Sequence, residues 1–294
     1  MNKIDLHIHS KYSLDGEKEV NELLTVAKNN NVETIAICDH NTAAAYKDLN
    51  NHDINIIPGI ELDCSFKDHD FHLLGYFIDP INPIWDKINK DVEEMERTSG
   101  LKRLEFIRNE MDIKIDMDKL NRLCPNMVYP AESICEVALS MKENDHNKYL
   151  EEFRPGKKHG VSPYVDFFWE YCAKGKIAYY PMEFMSMEDA IKLYRSQNAL
   201  VVLAHPGNNV KEDEALLDDI INLGIDGLEV FSSYHSDKQN EFYLNKALQN
   251  NLIITCGSDY HGKTKPHIKM GECKMPKEYE EKLIIYLNNY KENQ

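Results

Sequence analysis

The sequence has no closely spaced pair of cysteines, because its seven cysteines stand singly at positions 38, 64, 124, 135, 172, 256 and 273. Without a CxxC pair, neither a zinc ribbon nor a disulfide framework is indicated. Long hydrophobic runs are also missing, since the longest, residues 199–204, is far too short to span a bilayer. Residues 1–7 bring a charge and a histidine before an apolar signal segment could form. We therefore expect a reduced, cytoplasmic protein with no membrane partner.

Positive charge is also scarce. The chain has 34 Lys and Arg against 50 Asp and Glu, which gives a formal net charge of −16. This balance argues against a wide basic face for long nucleic acid. Small phosphate esters are still compatible with it, because bound divalent metals can make a site locally positive inside an acidic protein.

No glycine-rich fingerprint follows the first predicted strand, so a dinucleotide-binding fold loses its main support. Short apolar segments predict seven buried strands, at residues 4–8, 34–38, 54–62, 71–77, 200–204, 227–231 and 253–256. Most are followed by a helical pattern, and parallel neighbours need such crossover helices. The pattern predicts an α/β fold with a parallel sheet, and periodicity leaves barrel and open doubly wound sheet as alternatives.

Residues 82–182 interrupt this alternation. Segments 84–111, 133–141 and 165–173 are predicted helices, and the stretch between the last two, 142–160, is polar and rich in charge. We expect a helical insertion, or lid domain, lying over the mouth of a barrel. The predicted domains are residues 1–81 with 183–294 for the barrel, and 82–182 for the insertion.

Histidines and acids fall beside the predicted strands. His7 and His9 are expected to end the first strand and Glu61 the third; His72 lies at the fourth and His205 ends the fifth. The remaining groups follow strands or lie in the loops after them: Asp15, Asp39, His40, Asp259 and His261. Ligands and catalytic groups of parallel α/β folds gather at the carboxyl ends of strands. We therefore expect these groups to meet at one face.

The residue types favour metal binding over nucleophilic catalysis. A strand of period two points His7 and His9 to the same side, and two imidazoles aimed together can chelate one ion. A carboxylate such as Glu61 can bridge two ions. Histidine with Asp and Glu, and without thiolates, selects Zn, Mn, Fe or similar divalent ions. Asp39 is expected to orient an imidazole and not to bind metal itself.

Seven motifs then resemble the PHP (polymerase and histidinol phosphatase) family. They are Asp5-Leu6-His7-Ile8-His9-Ser10, Asp15-Gly16, Cys38-Asp39-His40-Asn41, Pro58-Gly59-Ile60-Glu61, His72-Leu73-Leu74-Gly75-Tyr76, Ala204-His205-Pro206-Gly207 and Gly257-Ser258-Asp259-Tyr260-His261-Gly262. The resemblance covers residues 1–80 and 185–265, with the motifs in family order. It implies a distorted seven-stranded (β/α)7 barrel with two or three divalent ions. The metal ligands it implies are His7, His9, Asp15, His40, Glu61, His72, His205, Asp259 and His261.

The resemblance is strongest to the stand-alone, small-substrate branch of the family, whose members carry a helical insertion. Some of these release phosphate from nucleotides such as 3′,5′-bisphosphates, and others act on short oligonucleotides. Relatives often carry an Arg-Pro-His element where this chain has Tyr129-Pro130-Ala131. Arg154 or the Lys157-Lys158 pair is expected to supply the missing charge to the substrate. His235, after the sixth strand, is a further candidate for phosphate contact.

The expected reaction is hydrolysis of a phosphate monoester of a small substrate, such as a nucleoside 3′,5′-bisphosphate. Two metals bridged by Glu61 would hold the attacking hydroxide, and His205 or His235 would protonate the leaving group. Three alternatives stay open: a metal-dependent 5′-3′ exonuclease on short oligonucleotides, a histidinol-phosphate phosphatase, and a metal-binding scaffold without activity. Protein partners are not indicated.

Overall fold

The computed structural model describes residues 1–49 and 52–292. Nine β-strands lie within this part of the chain: β1 (Ile4–Ile8), β2 (Thr34–Ile37), β3 (Asn55–Ile56), β4 (Gly59–Phe66), β5 (His69–Tyr76), β6 (Met185–Ser186), β7 (Leu200–Leu203), β8 (Gly227–Ser232) and β9 (Ile253–Gly257). The α-helices in the same residues are α1 (Val20–Asn29), α2 (Ile84–Asn109), α3 (Met117–Leu123), α4 (Ala131–Leu139), α5 (Pro163–Phe167), α6 (Met187–Arg195), α7 (Pro206–Asn209), α8 (Glu214–Asn222), α9 (Asp237–Gln249) and α10 (Lys277–Glu292). Short 3-10 helices occupy Ala44–Asp48, Lys142–Asn144, Glu151–Phe153 and Gly262–Thr264, and Phe168–Cys172 is a π-helix. Both strand and helix contents are those of an α/β fold.

The strands form two sheets. One is parallel, in the order β1-β2-β3, and the other is mixed, in the order β6-β4-β5-β7-β8-β9. Isolated bridges pair Ile8 with Tyr260 and His40 with Glu61, which links β1 to the end of β9 and β2 to β4. Each of the seven predicted segments contains a strand. The prediction of a wholly parallel sheet is wrong, because β5 runs antiparallel to both β4 and β7.

The antiparallel pair arises from a tight hairpin. Only Lys67 and Asp68 separate β4 from β5, and both adopt positive φ, +47° and +61°. Two-residue turns with positive φ at both positions match the twist of antiparallel strands. A crossover helix is impossible in two residues, so β5 must fold back beside β4.

The hairpin also corrects one predicted position. Glu61 does not end its strand but lies near the start of β4, whereas His72 lies within its predicted strand, in the middle of β5. In the hairpin register, Glu61 is opposite Leu74 and Asp63 is opposite His72. Cross-strand pairing in the hairpin, and not a shared strand end, therefore brings the carboxylate of Asp63 beside the imidazole of His72.

Local sequence explains the helices that follow the strands. Ser186 caps α6, because its hydroxyl accepts the N–H of Asp189 at 3.1 Å. The helix predicted at 165–173 is instead α5 followed by the π-helix. No α-helix among the residues described combines the length and the apolar character that crossing a bilayer demands.

The chain forms two compact units. The first comprises Met1–Ile88, Phe184–His261 and the described residues from Ile268 onward, and it contains all nine strands. The second comprises Asn89–Glu183 with Gly262–His267 and is helical, with its own apolar core built around Ile107, Leu120, Ile134, Phe153 and Phe167. The domain boundaries that the sequence indicates, and a lid over a barrel mouth, stay predictions; residues 293 and 294 of the predicted barrel domain lie outside the described part.

Candidate metal centre

Two histidines lie side by side where β1 ends. His7 is in β1, His9 directly follows it, and Ile8 between them packs into the hydrophobic core. Successive side chains of a strand point to opposite faces, so the two imidazoles share one face. Their ring centroids are 5.0 Å apart, and both side chains are fully buried. This segment delivers two ring nitrogens to one place.

Glu61 is the carboxylate around which the imidazoles gather, and its side chain is fully buried. Its Oε2 atom lies 3.1 Å from His7 Nε2, 3.3 Å from His9 Nε2 and 3.3 Å from His40 Nδ1. Its Oε1 atom lies 3.0 Å from His72 Nδ1 and 3.2 Å from His205 Nε2. One carboxylate therefore contacts five imidazoles, which come from four segments of the chain.

Two aspartates extend this cluster on the side of His9. Asp259 Oδ1 lies 3.0 Å from His9 Nε2 and 3.4 Å from His7 Nε2. Asp15 Oδ2 lies 3.0 Å from His261 Nε2. The rings of His9 and His261 stack with their centroids 3.9 Å apart. The loops after β1 and β9 thus bring the second set of acids and imidazoles beside the first.

The ligand atoms fall into three overlapping groups, each able to surround one cation. Within each group the atoms lie within 4.8 Å of one another. The groups are His9, Asp15, His40 and His261; His7, His9, Glu61 and Asp259; and His40, Glu61 and His72. His205 stands outside these groups, although its Nε2 atom faces Glu61. The structure therefore brings eight of the nine predicted ligands into groups that could hold two or three ions.

The buried donor atoms fit a metal. Several such atoms have no hydrogen-bond partner among the residues described, including His7 Nε2, His9 Nε2, His40 Nδ1, Glu61 Oε2 and His261 Nε2. The contacts among them are short but not aligned for hydrogen bonding. A buried polar atom without a partner costs about 1–3 kcal/mol, whereas a divalent ion coordinates several at once. Imidazole and carboxylate donors without thiolate suit Zn, Mn or Fe.

The electrostatics also call for added positive charge. Burial opposes protonation of His7, yet the carboxylates of Glu61, Glu229 and Asp259 outweigh it and raise the pKa of His7 well above its usual value. Burial is likewise outweighed at His40, whose pKa rises to about 10 beside Glu61 and Asp63. Around Glu61, the neighbouring imidazoles overcome burial and hold its pKa well below the usual value. Without a cation, these carboxylates favour protonated His7 and His40, whereas burial and the neighbouring His261 lower the pKa of His9 to about 4. Bound metal would take the place of the protons.

The PHP domain family model matches residues 5–288, which is most of the chain. The chain belongs to the PHP domain family. This membership agrees with the donor set, and it indicates a metal-dependent phosphoesterase.

Similar curated proteins span nearly the whole chain at low identity. The 5′-3′ exoribonuclease Rnm of Escherichia coli is 26% identical over 276 residues, covering 91% of this chain and 87% of that protein. The 3′,5′-nucleoside bisphosphate phosphatase of Chromobacterium violaceum is 27% identical, covering 89% and 88%. The phosphoribosyl 1,2-cyclic phosphate 1,2-diphosphodiesterase of Eggerthella lenta is 25% identical, covering 90% and 97%.

Solved structures share the fold. A Bifidobacterium adolescentis protein described as a metal-dependent phosphoesterase matches with a TM-score of 0.74 at 23% identity, covering 96% of this chain and 95% of that chain. A Chromobacterium violaceum protein described as an amidohydrolase matches with a TM-score of 0.70 at 24% identity, covering 94% and 92%. At these identities the likeness concerns the fold alone.

Glu229 also belongs to the cluster around Glu61, called the PHP site below, although the sequence did not indicate it. It lies in β8, fully buried, with Oε1 3.0 Å from His7 Nδ1 and Oε2 accepting the backbone N–H of His205 at 2.7 Å. Because a carboxylate only accepts, His7 must carry its proton on Nδ1, which leaves Nε2 free for metal. Gly257 makes room for this contact, since a Cβ there would lie 2.2 Å from both Glu229 Oε1 and His7 Cβ. A carboxylate in an otherwise apolar, buried strand was the available signal.

Asp63 was missed as well. It follows Glu61 by two residues and therefore faces the same side of β4. Its Oδ1 atom lies 3.3 Å from both His40 Nδ1 and His72 Nε2, and Asn41 Nδ2 donates to its Oδ2 at 2.6 Å. Asp63 and Glu61 thus face the same nitrogen of His40 but different nitrogens of His72.

Asp39 acts on the PHP site through a serine. It accepts the N–H and the hydroxyl of Ser10, both at 2.6 Å, and the hydroxyl of Ser13 at 3.2 Å. Ser13 Oγ in turn lies 2.8 Å from His9 Nδ1. Burial raises the pKa of Asp39 to about 6. In this geometry Ser13 accepts the Nδ1 proton of His9, so His9 Nε2 faces the other ligands.

His235 uses both ring nitrogens within the protein. Its Nδ1 donates to the carbonyl of Val230 at 2.8 Å, and its Nε2 accepts the N–H of Gly207 at 2.9 Å. Burial lowers its pKa. This geometry holds the turn after His205, and phosphate contact by His235 stays a prediction.

The predicted substrate cations lie in the helical unit. Arg154 donates to the carbonyl of Asn144 at 2.7 Å, and Lys157 Nζ lies 3.4 Å from Glu151. Lys158 is exposed. Contact of these three residues with substrate stays a prediction.

Proposed function

We propose that this protein hydrolyses a phosphate monoester of a small nucleotide, such as a nucleoside 3′,5′-bisphosphate, at the site centred on Glu61. The observation that carries the proposal is the set of three overlapping ligand groups, which share His9, His40 and Glu61. Groups that share ligands place cations near one another, as phosphoryl transfer at paired metals requires. A relative named as a 3′,5′-nucleoside bisphosphate phosphatase supports this substrate class.

In the proposal, the metal ligands are the nine residues that the family pattern implies, and the ions are Mn, Fe or Zn. Bound ions would supply charge neutralisation at the phosphoryl oxygens and the activation of a water nucleophile. Glu61 holds His7, His9 and His40 around one carboxylate oxygen, so that their nitrogens face a common point.

His205 has two alternative roles in the proposal, metal ligand or proton donor to the leaving group, because its Nε2 cannot coordinate a metal and carry a proton at once. Its Nδ1 lies 3.2 Å from Asn209 Oδ1, which can accept a proton there, and its Nε2 faces the site. His235 is less suited, because both of its nitrogens are hydrogen-bonded to backbone. The backbone of His205 is held by Glu229, with φ of +25°, a conformation that only surrounding contacts maintain.

Closure of the sheets belongs to the same proposal. The longer strands β1, β2, β4, β5, β7, β8 and β9 would form a distorted seven-stranded barrel, with the two isolated bridges joining the sheets. Residues 82–182 would form its insertion domain.

A second candidate is a 5′-3′ exonuclease on short oligonucleotides. Relatives in Escherichia coli and Haemophilus influenzae are named as 5′-3′ exoribonucleases, at 26% and 24% identity. The net charge of −16 restricts such an activity to short substrates, because a long strand would be repelled.

Metal-loaded protein assayed on a panel of substrates separates these functions. The panel contains adenosine 3′,5′-bisphosphate, histidinol phosphate, and 5′-phosphorylated RNA of two, three and twenty nucleotides, with phosphate and mononucleotide release measured separately. We expect phosphate release from the bisphosphate above all, and none from a Glu61→Gln control. Mononucleotide release from the short RNAs alone would replace the first candidate by the second. No turnover by fully metal-loaded protein would favour a scaffold.

A further inference from the structure

The helical unit contains a cavity of its own. Helix α2 and the segment 178–180 line a space of about 290 Å³, which is close to the lower limit of small-molecule sites. Every lining residue belongs to the second unit. None of the predicted metal ligands lines this cavity.

Arg103 lines this cavity and is only 4% exposed. Its Nη2 donates to Ser99 Oγ at 3.0 Å, and its Nε is buried without a hydrogen-bond partner among the residues described. In the same part of the chain no carboxylate forms an ion pair with it. A guanidinium has five N–H donors and stays charged, so its burial beside a neutral hydroxyl alone is unfavourable. An anion in the cavity would satisfy it.

The nearby charges leave room for such an anion. Lys102 Nζ pairs with Glu105 at 3.3 Å, and both side chains are more than half exposed to water. Glu110 also lines the cavity but is exposed, so water screens its charge. Arg103 is therefore the buried charge of the cavity, and it is positive.

The other walls offer flat apolar faces. Phe106, Tyr179 and Tyr180 line the cavity and are each partly exposed. Aromatic side chains of this kind stack on the rings of nucleobases, and a guanidinium binds phosphate with two parallel hydrogen bonds. The buried arginine therefore suits the phosphate of a mononucleotide, and the aromatic rings suit its base.

We propose that this cavity is a second ligand site, which binds a mononucleotide with its phosphate on Arg103 and its base against the aromatic side chains. The residues of this site include none of the predicted metal ligands and none of the predicted substrate contacts Arg154, Lys157, Lys158 and His235. Binding there requires neither metal nor turnover.

Calorimetric titration of the full-length chain with adenosine 5′-monophosphate tests the proposal, with metals bound and again after chelation. We expect binding that persists after chelation and that weakens about 10- to 100-fold in Arg103→Met, as loss of charge-assisted hydrogen bonds predicts. Arg108→Met is the matched control, because Arg108 is an exposed arginine of α2 outside the cavity. The control should bind as the wild type does.

A second variant tests the proposal if Arg103→Met does not fold. Tyr180→Ala removes one ring from a partly exposed position and should weaken the nucleotide while leaving inorganic phosphate unaffected. Three results would overturn the proposal: no binding by the chelated wild type, equal affinity in wild type and both cavity variants, or benzoate binding as tightly as the nucleotide. Failure of the substrate panel would leave this binding intact, so the two proposals fail independently.

Discussion

Replacement of Glu229 by Gln changes one atom of the carboxylate that holds His7 and His205. The carboxylate accepts at both oxygens, from His7 Nδ1 at 3.0 Å and from the His205 N–H at 2.7 Å. An amide has one accepting oxygen and one donating nitrogen. It can therefore serve only one of these two donors.

Either orientation of the amide is unfavourable. If its oxygen keeps the His205 N–H, its NH₂ faces His7 Nδ1, and His7 must move its proton to Nε2, where a metal would bind. If its oxygen keeps His7, its NH₂ faces the buried His205 N–H, which loses its acceptor at a cost of about 1–3 kcal/mol. The first orientation fits the usual loss on removing such a supporting group, about 10- to 100-fold in metal affinity.

Competition with a chelator of known affinity measures this loss, and elemental analysis gives the metal content. We expect Glu229→Gln to bind metal about 10- to 100-fold more weakly, with an unchanged far-ultraviolet circular dichroism spectrum. Glu33→Gln is the control, because that carboxylate is exposed and its ion pair among the residues described is with Lys3. Wild-type metal affinity in Glu229→Gln would refute the view that this carboxylate fixes the tautomer of His7.

Three further predictions concern the site and its support. His7→Ala and Glu61→Ala should each abolish phosphate release with the fold intact by circular dichroism, and a fully active Glu61→Ala protein would exclude the bridging role of Glu61. Chelation should abolish activity and lower the free energy of unfolding by about 2.7 kcal/mol relative to protein with metal at 100 times its Kd. Calorimetry that finds the same unfolding temperature with and without metal would contradict this. Gly75→Ala should lower the free energy of unfolding by about 1–3 kcal/mol, because the added Cβ would lie 2.0 Å from Tyr194 Cε1. Denaturant titration measures this change, and an unchanged midpoint would show that Tyr194 can move aside.

Much of the site follows from simple alternation and strand order. The spacing of His7 and His9 fixes a common face, and the groups after β2, β7 and β9 lie beside strand ends as expected. The hairpin at Lys67-Asp68 could not be predicted in the same way, because neither residue is the Gly or Asn that positive φ usually demands. The positions of Glu61 and His72 depend on that turn.

The carboxylates that support the imidazoles could not be predicted from the sequence either. Glu229 and Asp63 belong to no sequence motif that indicates their contacts, and their partners lie far away in sequence or across a hairpin. Their roles depend on which imidazole nitrogen they face, a property of three-dimensional geometry alone. Asp39, in contrast, adjoins His40 in sequence, but the imidazole that its contacts reach, through Ser13, is that of His9.

The overlap of the three ligand groups has a consequence for engineering this protein. His9, His40 and Glu61 each belong to two groups, so a substitution at any of them alters two coordination spheres at once. Energetic effects of residues that share partners do not add. If these groups bind metal as proposed, metal preference could not be redesigned one ion at a time. The residues that belong to a single group are the positions where one group can be changed with the least effect on the others: His7, Asp15, His72, Asp259 and His261.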